Sequence, residues 1–261
     1  MDKTVNIIRQ RMSLREPLAD ALEVMAKLTD NMSLTKPSSQ GTDTDDNAYK
    51  LYLKNQLRRV QEICPSCEDF ERDFPSFAFS IATGIGKTRL MGACIAYLYL
   101  EKGIKHFFVL APNLTLYEKL MRDFGDPSYE KYVFKGLSEF VHNEPHVITG
   151  DNYNTARSLF SDNQIQINIF NISKFNAESK EGGKKSMPRM RRLSEYLGQS
   201  YFDYLASLDD LVILMDEAHR YHADASKKAI NELRPILGLE MTATPTDEKG
   251  KSFKNIIYEY N

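Results

Sequence analysis

Hydrophobic positions along this 261-residue chain fall into two regimes. In the first, Leu18, Ala21, Leu22, Met25 and Leu28 recur at helical spacing and predict an amphipathic helix over residues 18–28. Residues 49–62 predict another, with Leu51, Leu53, Leu57 and Val60 apolar. Between them, residues 33–47 are rich in Ser, Thr, Asp, Lys and Gly, include Pro37 and Gly41, and read as a flexible loop. In the second regime, short continuous apolar runs at 77–81, 106–110, 165–172, 211–215 and 237–241 predict buried strands, with shorter candidates at 132–134 and 147–149. Helical stretches separate them. One covers 87–102, carries Leu90, Met91, Cys94, Ile95, Tyr97 and Leu98, and is stopped by Gly103. One runs from an Asn113 N-cap to about Phe124, before Gly125. Two more are expected at 193–205 and 223–233. Apolar strands alternating with helices predict an α/β fold, a mainly parallel sheet covered by helices on both faces. The expected division is a helical N-terminal extension over 1–72 and an α/β lobe over 73–261.

Composition narrows the class. Hydrophobic residues make up 42% of the chain, enough for a core, and the formal net charge is −2. That balance argues against a mainly electrostatic nucleic-acid binder, but not against local backbone contacts. No apolar run approaches the roughly 18 residues a membrane span requires. Residues 1–11 are polar and charged, with no signal-peptide pattern, so a cytoplasmic protein away from membranes is the default. Residues 177–192 combine Gly182-Gly183 with Lys180, Lys184, Lys185, Arg189, Arg191 and Arg192. This basic stretch is either a nucleic-acid contact or a solvated surface insertion. The same choice applies to Lys54, Arg58 and Arg59. Of three cysteines, Cys64 and Cys67 form a C-x-x-C without a second pair or nearby histidine, which favours a turn over zinc or redox chemistry. Cys94 falls on the apolar side of its helix and is expected in the core.

Three motifs carry candidate chemistry. The apolar run at 77–81 leads into Ala82-Thr83-Gly84-Ile85-Gly86-Lys87-Thr88 and then a helix. Strand, Gly-containing loop and helix N-terminus together make a phosphate cradle of inward backbone N–H groups and a positive dipole end. Thr83, Gly84, Ile85, Gly86, Lys87, Thr88 and Arg89 form the candidate nucleotide-binding set. Lys87 is suited to the β- and γ-phosphates and Thr88 to magnesium. Ile81 occupies the position of the first glycine in the general phosphate-loop pattern. The second motif, Asp216-Glu217-Ala218-His219, follows the strongest strand signal. Ligands of open α/β sheets bind at the carboxyl ends of strands. Asp216 is therefore a candidate magnesium ligand, together with Thr88, and Glu217 a candidate to orient or deprotonate the attacking water. A plain acidic helix start is the alternative. The third motif, Thr242-Ala243-Thr244-Pro245, ends the last predicted strand of the set.

These motifs, in this order, resemble motifs I, II and III of helicase superfamily 2 ATPases. Val109-Leu110-Ala111-Pro112-Asn113 is similar to motif Ia, which in that family touches the nucleic-acid backbone, so Pro112 and Asn113 are candidate contacts. Residues 169–175 are similar to the strand segment between Ia and II, and residues 255–260 to the crossing into the second motor lobe. Within the superfamily the chain resembles the Res subunit of Type III restriction enzymes. The resemblance implies a RecA-like ATP-binding lobe using ATP and Mg²⁺, with Lys87, Asp216 and Glu217 catalytic and with His219 coupling the site to Thr242 or Thr244. It implies duplex DNA as the nucleic-acid partner, a second RecA-like lobe, and a methyltransferase (modification) subunit. Where the family's adenine-side glutamine is expected, this chain has Leu18. Second lobes of such motors supply arginine fingers worth about 10³–10⁵ in rate. With 16 residues after Pro245, that lobe is not expected here, and poor hydrolysis by the chain alone follows. Two other readings stand beside this one: a nucleotide-dependent nucleic-acid-binding module without turnover, and a phosphate-loop ATPase that does not act on nucleic acid.

Overall fold

The computed structural model describes residues 2–36, 45–149, 152, 164–171, 201–221, 227, 230–246 and 250–260. The basic stretch at 177–192 and most of the helix predicted at 193–205 lie outside these residues, as does most of that predicted at 223–233.

Among the described residues, seven strands form one sheet, paired in parallel throughout: β1 (Ser76–Ile81), β2 (His106–Ala111), β3 (His146–Thr149), β4 (Gln166–Asn171), β5 (Val212–Asp216), β6 (Leu237–Thr242) and β7 (Ile256–Tyr260). Their order across the sheet is β3-β4-β2-β5-β6-β1-β7. The strands are apolar on both faces because both faces are covered. Phe107, Val109, Val212 and Leu214 enter one apolar cluster, while the intervening Phe108, Leu110, Ile213 and Met215 enter the other. The first cluster lies under helices α1 (Lys3–Arg11), α2 (Glu16–Asn31), α4 (Lys87–Lys102) and α5 (Leu114–Gly125). The second includes Tyr201, Phe202 and Leu205 of α7 (Tyr201–Ser207). This is the helix-covered parallel sheet that the α/β expectation required.

Local rules account for the element ends. Gly103 closes α4 in the left-handed conformation at φ 69°, and the Asn113 side chain accepts from Leu116 N at 2.9 Å to cap α5. Helix α3 (Asp45–Ile63) begins earlier than the second predicted helix. Cys64-Pro65-Ser66-Cys67 is a turn with free thiols, and Cys94 is buried.

One sequence expectation needs correction. Residues 132–134 form no strand: they lie in turns before α6 (Ser138–His142). Three adjacent apolar residues resemble a strand, but here they are buried by aromatic packing, with Phe134 stacked on Phe140 at 4.3 Å. The charged segment at the N-terminus is a helix, α1. Asp2 caps it through Val5 N at 2.9 Å, and Val5 and Ile8 are its buried positions.

One charged group lies inside the sheet. Glu240, in the middle of β6, is fully buried and pairs with fully buried Arg72 at 3.0 Å. Ser76 Oγ donates to the same carboxylate at 2.7 Å, and Arg72 Nη1 donates to the Tyr221 carbonyl at 3.3 Å. Asn255, just before β7, donates to Phe70 O at 3.3 Å.

Candidate nucleotide site

Strand order assembles the site. Because β6 lies between β5 and β1, the carboxyl ends of all three meet at one rim. In register, Thr242 pairs with Ser80 of β1, and Met241 with Asp216 of β5. Motifs far apart in sequence therefore become neighbours.

The loop from Ala82 to Gly86 connects β1 directly to α4. Thr83 and Gly84 are exposed, while Ile85, Gly86, Lys87 and Thr88 are half-buried. Gly86, at φ 122°, precedes the first helical residue, in a region that side chains rarely tolerate. A Cβ there would also lie 3.2 Å from Leu18 Cδ1, so α2 abuts the loop. Leu18 thus stands beside the phosphate loop, at the position where the resemblance placed a glutamine.

Lys87 Nζ lies 2.7 Å from Glu217 Oε1, with side-chain exposures of 10% and 23%. Glu217 adopts φ 53°. For a residue other than glycine such a conformation costs about 1–3 kcal/mol and is kept where the surroundings enforce it. The carboxyl group of Asp216 is raised above its ordinary pKa, first by burial and then by the neighbouring Glu217 charge. Lys87, the Glu217 N–H and Lys119 act in the opposite direction. Burial thus disfavours a lone charge on Asp216, and a bound cation offsets that penalty.

The third motif adjoins the second. His219 Nδ1 lies 3.3 Å from Thr242 Oγ1 and 3.2 Å from Thr244 Oγ1. The Thr242 hydroxyl donates to the Thr244 carbonyl at 2.9 Å, so its single proton is already engaged. Thr242 Oγ1 is thus placed to accept from His219 when Nδ1 carries a proton. Glu217 Oε2 is 3.6 Å from the same nitrogen. His219 thus lies within reach of both Thr242 and Thr244, the two alternatives for its coupling partner.

Three sequence candidates sit differently from the rest. Arg89 Nη1 donates to Met12 O at 2.8 Å, holding α4 to the N-terminal helices. Pro112 is buried, and the Asn113 side chain is engaged in capping α5. The exposed groups at that end of α5 are Leu114 and Thr115. Sequence reasoning missed Lys119, whose ammonium lies 2.9 Å from Thr88 Oγ1 and 3.2 Å from Asp123 Oδ2. The only signal was its i,i+4 spacing from Asp123, which reads as an ordinary helix pair.

The donors suit a nucleotide-bound magnesium ion. Mg²⁺ takes oxygen ligands, commonly one or two carboxylates with substrate phosphates and water, rather than an all-protein cage. One hydroxyl, Thr88, and one buried carboxylate, Asp216, fit that pattern. Among the described residues there is no group of three or more His, Cys, Asp or Glu able to hold a metal unaided. Among them also, no helix is long and apolar enough to cross a membrane.

Comparison with known proteins adds the context. The sequence profile of the family described as "Type III restriction enzyme, res subunit" matches residues 49–247. A probable type III restriction-modification enzyme HindVIP Res subunit from Haemophilus influenzae (strain ATCC 51907 / DSM 11121 / KW20 / Rd) is 29% identical over 199 residues, covering 72% of this chain and 34% of its own length. The chain thus spans about a third of that relative. Among solved structures, a nuclease-deletion mutant of the Type ISP restriction-modification enzyme LlaGI, in complex with a DNA substrate mimic, aligns with TM-score 0.44 and 13% identity over 82% of this chain and 19% of that one. The Sulfolobus solfataricus SWI2/SNF2 ATPase core in complex with dsDNA aligns with TM-score 0.39 and 12% identity, over 82% and 34%.

Proposed function

This chain belongs to the Type III restriction enzyme Res subunit family, and on that premise we propose that it is the ATP-binding first lobe of a DNA-dependent, helicase-like motor. One observation carries the reading: Lys87 of the phosphate loop and Glu217 of the acidic motif meet at 2.7 Å, at the rim where β1, β5 and β6 end.

In this reading the loop N–H groups and Lys87 bind the phosphates of ATP. Thr88 and Asp216 hold magnesium, which screens charge on the transferring phosphoryl group. Glu217 orients and deprotonates the attacking water. His219 reports the state of Glu217 to Thr242 and Thr244. Duplex DNA is the track, a second RecA-like lobe completes the site, and a modification subunit supplies DNA-site recognition. Poor turnover by this lobe alone is favoured by the pairing of Lys87 with Glu217, since each holds the other away from its task.

The test is ATP binding and hydrolysis by the purified chain with Mg²⁺, with and without duplex DNA, beside Lys87→Ala. Binding that Lys87→Ala abolishes, with little turnover, is expected. Binding unaffected by Lys87→Ala would overturn the assignment of the loop. Vigorous turnover would overturn the requirement for a second lobe.

A further inference from the structure

The Lys119 ammonium, on α5, reaches across to the hydroxyl of Thr88 at 2.9 Å. Lysine only donates, so Thr88 must accept, spending a lone pair on Lys119. In the proposed site that oxygen is a magnesium ligand. A divalent ion and an ammonium directed at one hydroxyl oxygen repel each other. Lys119 has a second partner one helical turn along: Asp123 Oδ2, at 3.2 Å. Asp123 is 3% exposed, and its Oδ1 has no hydrogen-bond partner among the described residues. It therefore has capacity to take more of the ammonium. The Lys119 side chain is itself 42% exposed and has room to move.

We propose that Lys119 is the resident cation of the magnesium position, holding Thr88 until the metal arrives and then retreating onto Asp123. Lys119 is a positioning residue: it acts through Thr88 and Asp123. It keeps the Thr88 hydroxyl in place in the empty loop and makes metal entry a competition. Because α5 starts immediately after Asn113, the exchange also releases a tie between the phosphate loop and the helix that opens at the candidate DNA-contacting segment.

This inference rests on the ATP·Mg²⁺ reading of the site, so the test separates the two. Nucleotide affinity of the whole chain is measured in EDTA with a fluorescent, non-hydrolysable ATP analogue. Metal affinity of the nucleotide complex is then measured by titration with Mn²⁺, read by electron paramagnetic resonance. Lys119→Gln removes the charge but keeps a donor for Asp123. It should tighten Mn²⁺ binding by about tenfold, the scale of one charge-assisted hydrogen bond. Asp123→Asn removes the retreat and should weaken Mn²⁺ binding. The tenfold size is the signature, since loss of a charge at a distance gives the same signs but a smaller, salt-screened change, and a purely structural pair lowers the melting temperature in both variants. Unchanged or weakened Mn²⁺ binding in Lys119→Gln overturns the inference alone. If that variant does not fold, Mn²⁺ binding in Asp123→Asn that is not weakened overturns it equally. Failure of the wild-type chain to bind the nucleotide overturns the underlying reading as well.

Discussion

Two acid–base pairs, one buried against the sheet and one at its rim, behave as opposites. Arg72 and Glu240 are fully buried, and their charges are answered from several sides: Ser76, the Tyr221 carbonyl and Asn255 complete the set. Lys87 and Glu217 form a closer contact, 2.7 Å against 3.0 Å, yet both remain partly open to solvent, and Glu217 is held at positive φ. The first pair cannot exchange partners, because nothing can enter to replace either member. The second can in the proposed function, where a phosphate and a water approaching from the rim offer each a new partner. Proximity alone therefore does not separate scaffold from machinery. What separates them is whether the remaining lone pairs and protons are satisfied inside the protein.

The comparison can be broken experimentally. The largest effect is expected from Glu217→Gln in the assembled two-lobed motor: a fall of about 10²–10⁴ in ATP turnover, the usual contribution of a positioned acid–base group, with nucleotide binding retained. Wild-type turnover would remove Glu217 from its role. Next, Glu240→Ala strands a buried guanidinium and should cost about 3–5 kcal/mol in urea denaturation. Glu217→Gln, at the partly solvated pair, should cost at most about 1 kcal/mol in the same assay. Equal losses would erase the distinction between the pairs.

The smallest effect concerns Asp216. Its folded-state pKa is raised, so its protonated form favours the fold. That contribution is fully present below the ordinary carboxylate range, about pH 4, and is lost as pH rises through the folded pKa. Asp216→Asn should therefore melt at a higher temperature than wild type at pH 7, with the gap closing as pH falls below the carboxylate range, while Mg²⁺-dependent nucleotide binding is lost. Thermal denaturation across pH decides it, and a variant less stable than wild type at pH 7 would refute the argument.

How much was legible beforehand depended on range. Helix α4 was predicted at 87–102 and lies there, because an apolar helix between two glycines carries its own boundaries. Strand β5 was found to within one residue, as a buried parallel strand is a continuous apolar run. Helix α1 was passed over because only Val5 and Ile8 face the core, too few to show a period amid charge. Residues 132–134 misled because burial by stacked rings and burial in a sheet leave the same local mark. The motifs announced the nucleotide loop and the acidic motif, but not their contact: Lys87 and Glu217 are 130 residues apart. Arg72 and Glu240 are 168 apart, and the visible clue was a lone carboxylate in an apolar strand, which demands a partner somewhere. Lys119 gave less, since a helical lysine four residues before an aspartate is ordinary on any surface.

Strand β7 also has a mechanical meaning. It runs parallel to β1, and at its far end the Tyr260 carbonyl accepts from Ala82 N at 3.1 Å, the first residue of the phosphate loop. β7 ends at the same rim that holds Lys87 and Glu217. A tug on it loads the rungs between β7 and β1 together, in shear, and the last rung is anchored on the loop itself. A load on the strand therefore reaches the loop directly, through the β7–β1 rungs.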